Sequence, residues 1–175
     1  GMKKKTKQVE AFIQGMHEFV TRHPQFRRKT AGKSETQIQA EIRPILVSYL
    51  EKYFQERGYK DYVAKANAAF YWEGQEGIYG RQRKTTFGAR NYPDFIVTAP
   101  YLVAIEYKQS PNGSLVKQGL GQSMIHTLCD EYDFVYYLFH DQSKDKRIER
   151  SLKSTLESTM IERAWKDFNV MMRFV

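Results

Sequence analysis

Three charged residues on two neighbouring apolar segments have the types and spacing needed for metal-assisted hydrolysis. Asp94 opens the segment 94–97, and Glu106 and Lys108 lie two positions apart in the segment 102–108. Both segments have the composition of β-strands. Side chains alternate between the faces of a strand, so Glu106 and Lys108 are expected to point to the same face.

The turn between the two segments predicts which residues face each other. If it centres on Pro100, paired positions sum to 200, and Asp94 lies opposite Glu106 with Cβ atoms ~4.5–5.5 Å apart. Two carboxylates at that distance repel unless a cation lies between them, and Mg²⁺ fits because it takes oxygen ligands and keeps several waters. Lys108 would then position or help deprotonate a water, so the pattern suits phosphodiester hydrolysis. A register shift of one residue would destroy the arrangement.

The periodicity of apolar residues predicts the elements that must hold these groups. It indicates helices over residues 5–22, 34–58, 115–128 and 147–168, and strands over 94–97, 102–108, 134–139 and 169–175. Ser34 and Gln37 have the spacing of a capping box, and Gly58 is expected to close the second helix. Pro44 should kink or split that helix. The prediction is an α/β fold with a mixed central sheet flanked by helices, in which residues 1–33 form a basic helical extension and residues 34–175 one domain.

The composition limits the classes of protein and of partner. The chain has 175 residues and a formal net charge of +8, and the region 1–33 holds nine basic residues against two acidic ones. A second basic stretch contains Arg81, Arg83, Lys84 and Arg90. Lysine and arginine displace the counterions of nucleic acids, so this charge favours a polyanionic partner over a role in solubility alone. No apolar run approaches the ~20 residues of a membrane span, so a membrane location is not expected.

Other motifs that would indicate a different chemistry are missing from the sequence. The single cysteine, Cys129, excludes a disulfide framework and a cysteine-based zinc site, and together with the lack of a signal-peptide pattern it favours a cytoplasmic protein. The four histidines, at positions 17, 23, 126 and 140, show no metal-ligand spacing. The sequence contains no GxxxxGK[ST] phosphate loop and no HExxH or GxSxG motif.

The segments around the three charged residues resemble the PD-(D/E)xK nuclease superfamily, which includes restriction endonucleases and Holliday-junction resolvases. The resemblance is carried by Tyr92-Pro93-Asp94-Phe95-Ile96-Val97, by Ala104-Ile105-Glu106-Tyr107-Lys108, and by the glutamines at positions 118 and 122 of the next predicted helix. It implies a restriction endonuclease-like fold and an endonuclease that hydrolyses DNA with Mg²⁺ or Mn²⁺. A homodimer that cuts both strands is compatible with it, and RNA stays open as the substrate.

The resemblance also implies roles for individual residues. Asp94 and Glu106 become metal ligands, helped by the backbone carbonyl of Tyr107, and Lys108 becomes the catalytic lysine. Glu41 is the candidate for a further acid from the preceding helix, although an ordinary helix-surface glutamate explains it equally well. Gln122 is the first choice for the helix glutamine and Gln118, one turn earlier, the second.

Several residues near the motif are candidates for contact with nucleic acid. They are Arg81, Arg83, Lys84 and Arg90 upstream, which fit phosphate contacts or a solvated loop equally well, and Lys117 and Gln118 downstream. Two other functions compete with the endonuclease. One is a non-catalytic nucleic-acid-binding module on a nuclease-like scaffold, and the other is an assembly protein whose charge serves protein contacts.

Overall fold

A computed structural model describes residues 2–28, 32–73, 75 and 85–175, except for the side chains of residues 28, 85 and 90. Its contacts divide the chain into two compact units. One is Thr6–Phe70, and the other is Tyr71–Val175 together with the N-terminal residues up to Lys5. The predicted boundary at residue 33 falls inside the first unit.

The first unit is helical. It contains α1 (Lys7–Arg22), α2 (Pro24–Arg28), α3 (Glu35–Glu56) and α4 (Tyr62–Ala68). The apolar stripe of α1 faces that of α3, where the Tyr49 hydroxyl donates a hydrogen bond to the Phe12 carbonyl at 2.7 Å. Gly15 makes room for this contact, because a Cβ there would lie 2.7 Å from the same hydroxyl.

The ends of α3 form as the sequence predicts. The Ser34 hydroxyl accepts from the amide of Gln37, whose side chain accepts from the amide of Ser34, which is the predicted capping box. At the other end Gly58 takes a φ of +85°, and the amides of Gly58 and Tyr59 close a Schellman motif on the last carbonyls. The helix runs unbroken through Pro44, so the predicted split does not occur.

The second unit is built on a five-stranded mixed sheet. Its strands are β1 (Phe70–Trp72), β4 (Phe95–Val97), β5 (Val103–Ser110), β6 (Phe134–Asp141) and β7 (Val170–Phe174), in the order β1-β4-β5-β6-β7. Two short strands, β2 (Thr85–Thr86) and β3 (Ala89–Arg90), form a separate ribbon. β4 and β5 are antiparallel, whereas β5, β6 and β7 are parallel. All eight residues of β6 are buried, which includes the apolar stretch 134–139 that the sequence predicts as a strand.

Helices α5 (Ser114–Leu128), α6 (Arg147–Ser151) and α7 (Thr155–Phe168) complete this unit. Apolar residues of α5, α6 and α7 pack on a core that includes Ala104 and Phe139, so these helices cover one face of the sheet. The predicted single helix over 147–168 is wrong, because the Ser154 hydroxyl caps a new helix by accepting from the amide of Glu157. Leu156, which the single helix would bury, is 68% exposed.

The architecture is therefore α/β, with a mixed open sheet and flanking helices, as the sequence predicts. In the part of the chain that the structure describes, no helix combines the length and hydrophobicity needed to cross a bilayer.

One carboxylate ties the end of β6 to α6 and gives a pH-dependent contribution to stability. Asp141 accepts hydrogen bonds from the Ser143 amide and hydroxyl and from the Glu149 amide. Burial raises the pKa of Asp141, but these hydrogen bonds and the charge of Lys146 outweigh that effect and lower it.

We expect Asp141→Asn to lower the free energy of unfolding by about 1.5–3 kcal/mol at pH 7, because a charged acceptor is replaced by an amide. A lowered native pKa stabilises the fold above the unfolded value near 3.9, and this contribution is lost as the pH falls through the native value. Urea unfolding at pH 7 and pH 3 should therefore show a smaller difference between wild type and variant at pH 3. An equal difference at both pH values would contradict the assignment.

Candidate active site

The two carboxylates of the predicted site lie side by side. β4 and β5 pair Phe95 with Ile105, Ile96 with Ala104 and Val97 with Val103, and each pair sums to 200 as predicted. The same register places Asp94 opposite Glu106. Glu106 raises the pKa of Asp94 through its charge and through a side-chain hydrogen bond, which is consistent with neighbouring carboxyl groups in this register.

Asp94 is held by the backbone on both sides. Its Oδ2 accepts a hydrogen bond from the Tyr107 amide at 2.8 Å, and its carbonyl accepts one from the Glu73 amide at 3.0 Å. The side chain of Asp94 thus accepts a hydrogen bond from Tyr107 of β5, which lies just beyond the last backbone pair of β4 and β5. The first bond fixes the direction of the carboxylate, and the second holds the backbone of Asp94 beside β1.

The electrostatics of the pair disfavour the state in which both carboxyl groups are ionised. Burial and, after it, the neighbouring Glu106 raise the pKa of Asp94, whereas the Tyr107 amide and the charge of Lys108 lower it, and the net result is a pKa of about 8. Two carboxyl groups in contact cannot both ionise cheaply, so Asp94 keeps its proton to a higher pH than a free carboxyl group does. A divalent cation between the two carboxyl groups would also reduce the cost of ionising both of them.

Lys108 and Tyr107 lie on opposite faces of β5, as the alternation predicts. Lys108 is half-buried on the face of Glu106, and its charge reaches Asp94. The Tyr107 ring is buried on the other face, where its hydroxyl contacts Gln109 and His140 Nδ1, each at 2.8 Å. This network anchors the backbone of Tyr107, whose carbonyl remains a predicted metal ligand.

A histidine that the sequence did not single out completes the cluster. His126 on α5 places Nε2 2.7 Å from Oε1 of Glu106, and both side chains are almost completely buried. Burial lowers the pKa of His126 to about 4, against the charges of Glu131 and Asp94, so the ring is neutral. The only signal in the sequence was its position four residues after Gln122, on the same face of the helix.

Close packing of α5 on the sheet brings His126 to the strand. A Cβ on Gly119 would lie 2.1 Å from the Tyr137 hydroxyl, so only glycine lets the helix approach this closely. The Tyr137 hydroxyl also donates to the Val116 carbonyl at 3.0 Å. Tyr137 is the partner of Glu106 in the pairing of β5 with β6. The contact of Gly119 with Tyr137 therefore sets the distance between α5 and the strand that carries Glu106.

The remaining predicted site residues stay predictions. Gln122 is half-buried on α5, whereas Gln118 and Lys117 are exposed closer to its N-terminus. Glu41 lies on α3 in the helical unit, where it forms an ion pair with Lys33. Arg81, Arg83 and Lys84 lie outside the described residues, and Arg90 is described only as backbone in β3.

The donor set suits a hard cation that keeps part of its water shell. Within the described residues, no cluster of three or more histidine, cysteine, aspartate and glutamate side chains is arranged around a metal position. Two carboxylates and a carbonyl are nevertheless the oxygen donors that Mg²⁺ uses when waters fill the other positions. The contacting pair Asp94 and Glu106 fits this requirement.

Comparison with known proteins gives no independent assignment, since no family model, curated protein or solved structure matches the chain.

Proposed function

We propose that the protein is a Mg²⁺- or Mn²⁺-dependent endonuclease that hydrolyses DNA phosphodiester bonds, on a fold of the restriction endonuclease type. The observation that carries the proposal is the contact between the carboxyl groups of Asp94 and Glu106, with Lys108 next along the same face. Structural carboxylates are rarely buried against each other, because their mutual repulsion is costly. A site that binds a cation explains the arrangement.

Asp94 and Glu106 would hold the divalent cation, with the Tyr107 carbonyl as a further oxygen donor. Bound there, the cation would supply Lewis-acid polarisation of the scissile phosphate and neutralise charge that develops in the transition state. The chain itself orients the donors, since the Tyr107 amide fixes Asp94 and the His126 ring contacts Glu106.

Lys108 has two tasks in this proposal. Its position two residues beyond Glu106 on the same face lets its ammonium group orient the attacking water or contact the phosphate. Its charge already acts on Asp94. A positive group beside two carboxylates and a bound phosphate lowers the cost of bringing those anions together.

The charge around the site supports DNA as the substrate. Residues 144–153 follow β6 and contain five basic side chains and two acidic ones. β6 runs parallel to β5, so this segment starts at the edge of the sheet where β5 ends. Ile148 packs in the same core as Phe139, which is the partner of Lys108 in the pairing of β5 with β6. The segment therefore lies on the face of the sheet that carries Glu106 and Lys108.

We expect Arg147→Gln/Arg150→Gln to weaken binding to duplex DNA in Ca²⁺. The slope of the logarithm of the binding constant against the logarithm of the salt concentration should become smaller by roughly two, because each phosphate contact contributes about one. Both side chains are exposed. The matched control is Arg163→Gln/Lys166→Gln. These exposed charges lie on α7 just before β7, at the end of the sheet where the parallel strands begin. Fluorescence anisotropy at several salt concentrations gives the binding constants of both variants and of the wild type. If the salt dependence of Arg147→Gln/Arg150→Gln equals that of the wild type, this segment is not part of the interface.

The proposed activity is tested by nicking of supercoiled plasmid. The wild type should nick it in Mg²⁺ or Mn²⁺ and not in EDTA. Salt-dependent DNA binding without nicking in either metal would instead support the non-catalytic binding module. Absence of DNA binding at moderate salt would favour the assembly protein.

A further inference from the structure

We propose that His126 is a positioning residue of the metal site, whose Nε2–H holds Oε1 of Glu106 and fixes the direction of that carboxylate beside Asp94. The inference rests on the proposed function, because it states how one of the two predicted ligands is kept in place. It does not make His126 a ligand or a proton donor in the reaction.

The contact between the two side chains is short and buried. The distance from Nε2 to Oε1 is 2.7 Å, and the side chains of His126 and Glu106 are 1% and 5% exposed. A hydrogen bond to a charged acceptor in such surroundings is stronger than one in water, and a buried carboxylate without it would be costly. His126 therefore contributes to the orientation of Glu106.

The other ring nitrogen identifies the tautomer. His126 Nδ1 is buried and has no hydrogen-bond partner among the described residues. A proton on Nδ1 would leave both an unpaired N–H donor in the interior and an unprotonated Nε2 facing a carboxylate. The arrangement accommodates a neutral ring only with the proton on Nε2, where it bonds to Glu106.

The ring itself cannot turn freely. It packs edge-on against the Tyr132 ring, with centroids 5.4 Å apart and an interplanar angle of 85°. The Tyr132 amide also donates to the His126 carbonyl at 3.2 Å, which ties the chain after α5 back to the helix. The direction imposed on Glu106 is thus set by packing at the end of α5.

Hydrogen-bond donors that orient metal ligands typically change metal affinity by about 10- to 100-fold when they are removed. We expect His126→Leu to weaken Mn²⁺ binding by that factor in isothermal titration calorimetry. His126→Gln retains an N–H donor and should keep most of the affinity. Thr127→Val is the matched control, because it removes the hydrogen bond from the neighbouring, buried Thr127 side chain to the Phe168 carbonyl and leaves Glu106 unchanged.

A purely structural role would lower the stability of His126→Leu and Thr127→Val alike and leave Mn²⁺ affinity unchanged in both. Unchanged affinity in His126→Leu would therefore overturn the proposal, and so would an equal loss in both His126 variants. Should His126→Leu fail to fold, comparison of His126→Gln with wild type and the measurement below still decide the question.

The tautomer is tested without any metal. Long-range ¹H–¹⁵N spectra of the wild type at pH 7.5 should show the His126 proton on Nε2, with ring resonances that shift in Glu106→Gln. A proton on Nδ1, or no response to Glu106→Gln, would overturn the assignment. If the tautomer is as expected but the wild type binds no Mn²⁺, the proposed function fails while the hydrogen bond stands.

Discussion

Asp94→Asn and Lys108→Ala each lower the rate of plasmid nicking at least about 100-fold, which is the result we expect if the carboxylate pair and the lysine form the active site. In the proposed site, Asp94→Asn would remove one ionisable ligand, so the cation would lose half of its charged donors. Lys108→Ala would remove the ammonium group that is proposed to face the attacking water and the phosphate.

Asp94→Asn also separates a catalytic role from a structural one. The amide oxygen of asparagine can still accept the hydrogen bond from the Tyr107 amide, and the repulsion from Glu106 disappears. We therefore expect the metal-free variant to be at least as stable as the wild type in urea. Loss of nicking together with retained stability is the signature of a functional carboxylate.

Matched variants on α7 control for charge. Glu162→Gln and Lys166→Ala remove one exposed acid and one exposed base, and both should nick plasmid like the wild type. Equal rates for Asp94→Asn, Lys108→Ala and the wild type would refute the assignment of the active site.

Gly119→Ala should destabilise the protein by about 2 kcal/mol or more, because its Cβ would lie 2.1 Å from the Tyr137 hydroxyl and 2.4 Å from the adjacent ring carbon. The Tyr137 ring is completely buried, so it has little room to withdraw. The helix must then move away from the sheet, which strains the hydrogen bond to Val116 and draws His126 from Glu106.

The same helix offers a control substitution that should raise the free energy of unfolding instead of lowering it. A Cβ on Gly121 would have no neighbour within 4 Å, and the residue is exposed. Gly121→Ala should therefore raise the free energy of unfolding by about 0.5–1 kcal/mol, because alanine loses less conformational freedom than glycine in a helix. Urea unfolding compares the two variants. Equal effects at the two positions would show that α5 does not approach the sheet as closely as described.

Several features of the fold and site could be predicted because they depend on residues close in sequence. The capping box of Ser34 and Gln37 and the left-handed Gly58 each involve a few consecutive residues. The register of β4 and β5 follows from a turn centred on Pro100, so the contact of Asp94 with Glu106 was already implied by counting.

Local signals failed where a weak local preference competed with packing. The apolar spacing over 147–168 predicts one helix, yet Ser154 begins a new one and leaves Leu156 exposed. Pro44 predicts a kink or a split in α3, and the split does not occur, since one lost hydrogen bond is offset by the buried face on both sides.

The sequence by itself therefore determined the strand pairing, the alternation of β5 and the facing carboxylates, because each is set by short-range geometry. The tertiary structure alone decided that His126 reaches Glu106, a contact that spans twenty residues. That contact depends on how closely α5 packs on β6, which is set by Gly119 and Tyr137 together. Helical spacing identifies the residues on one face of a helix, but only packing determines which of them meets the strand.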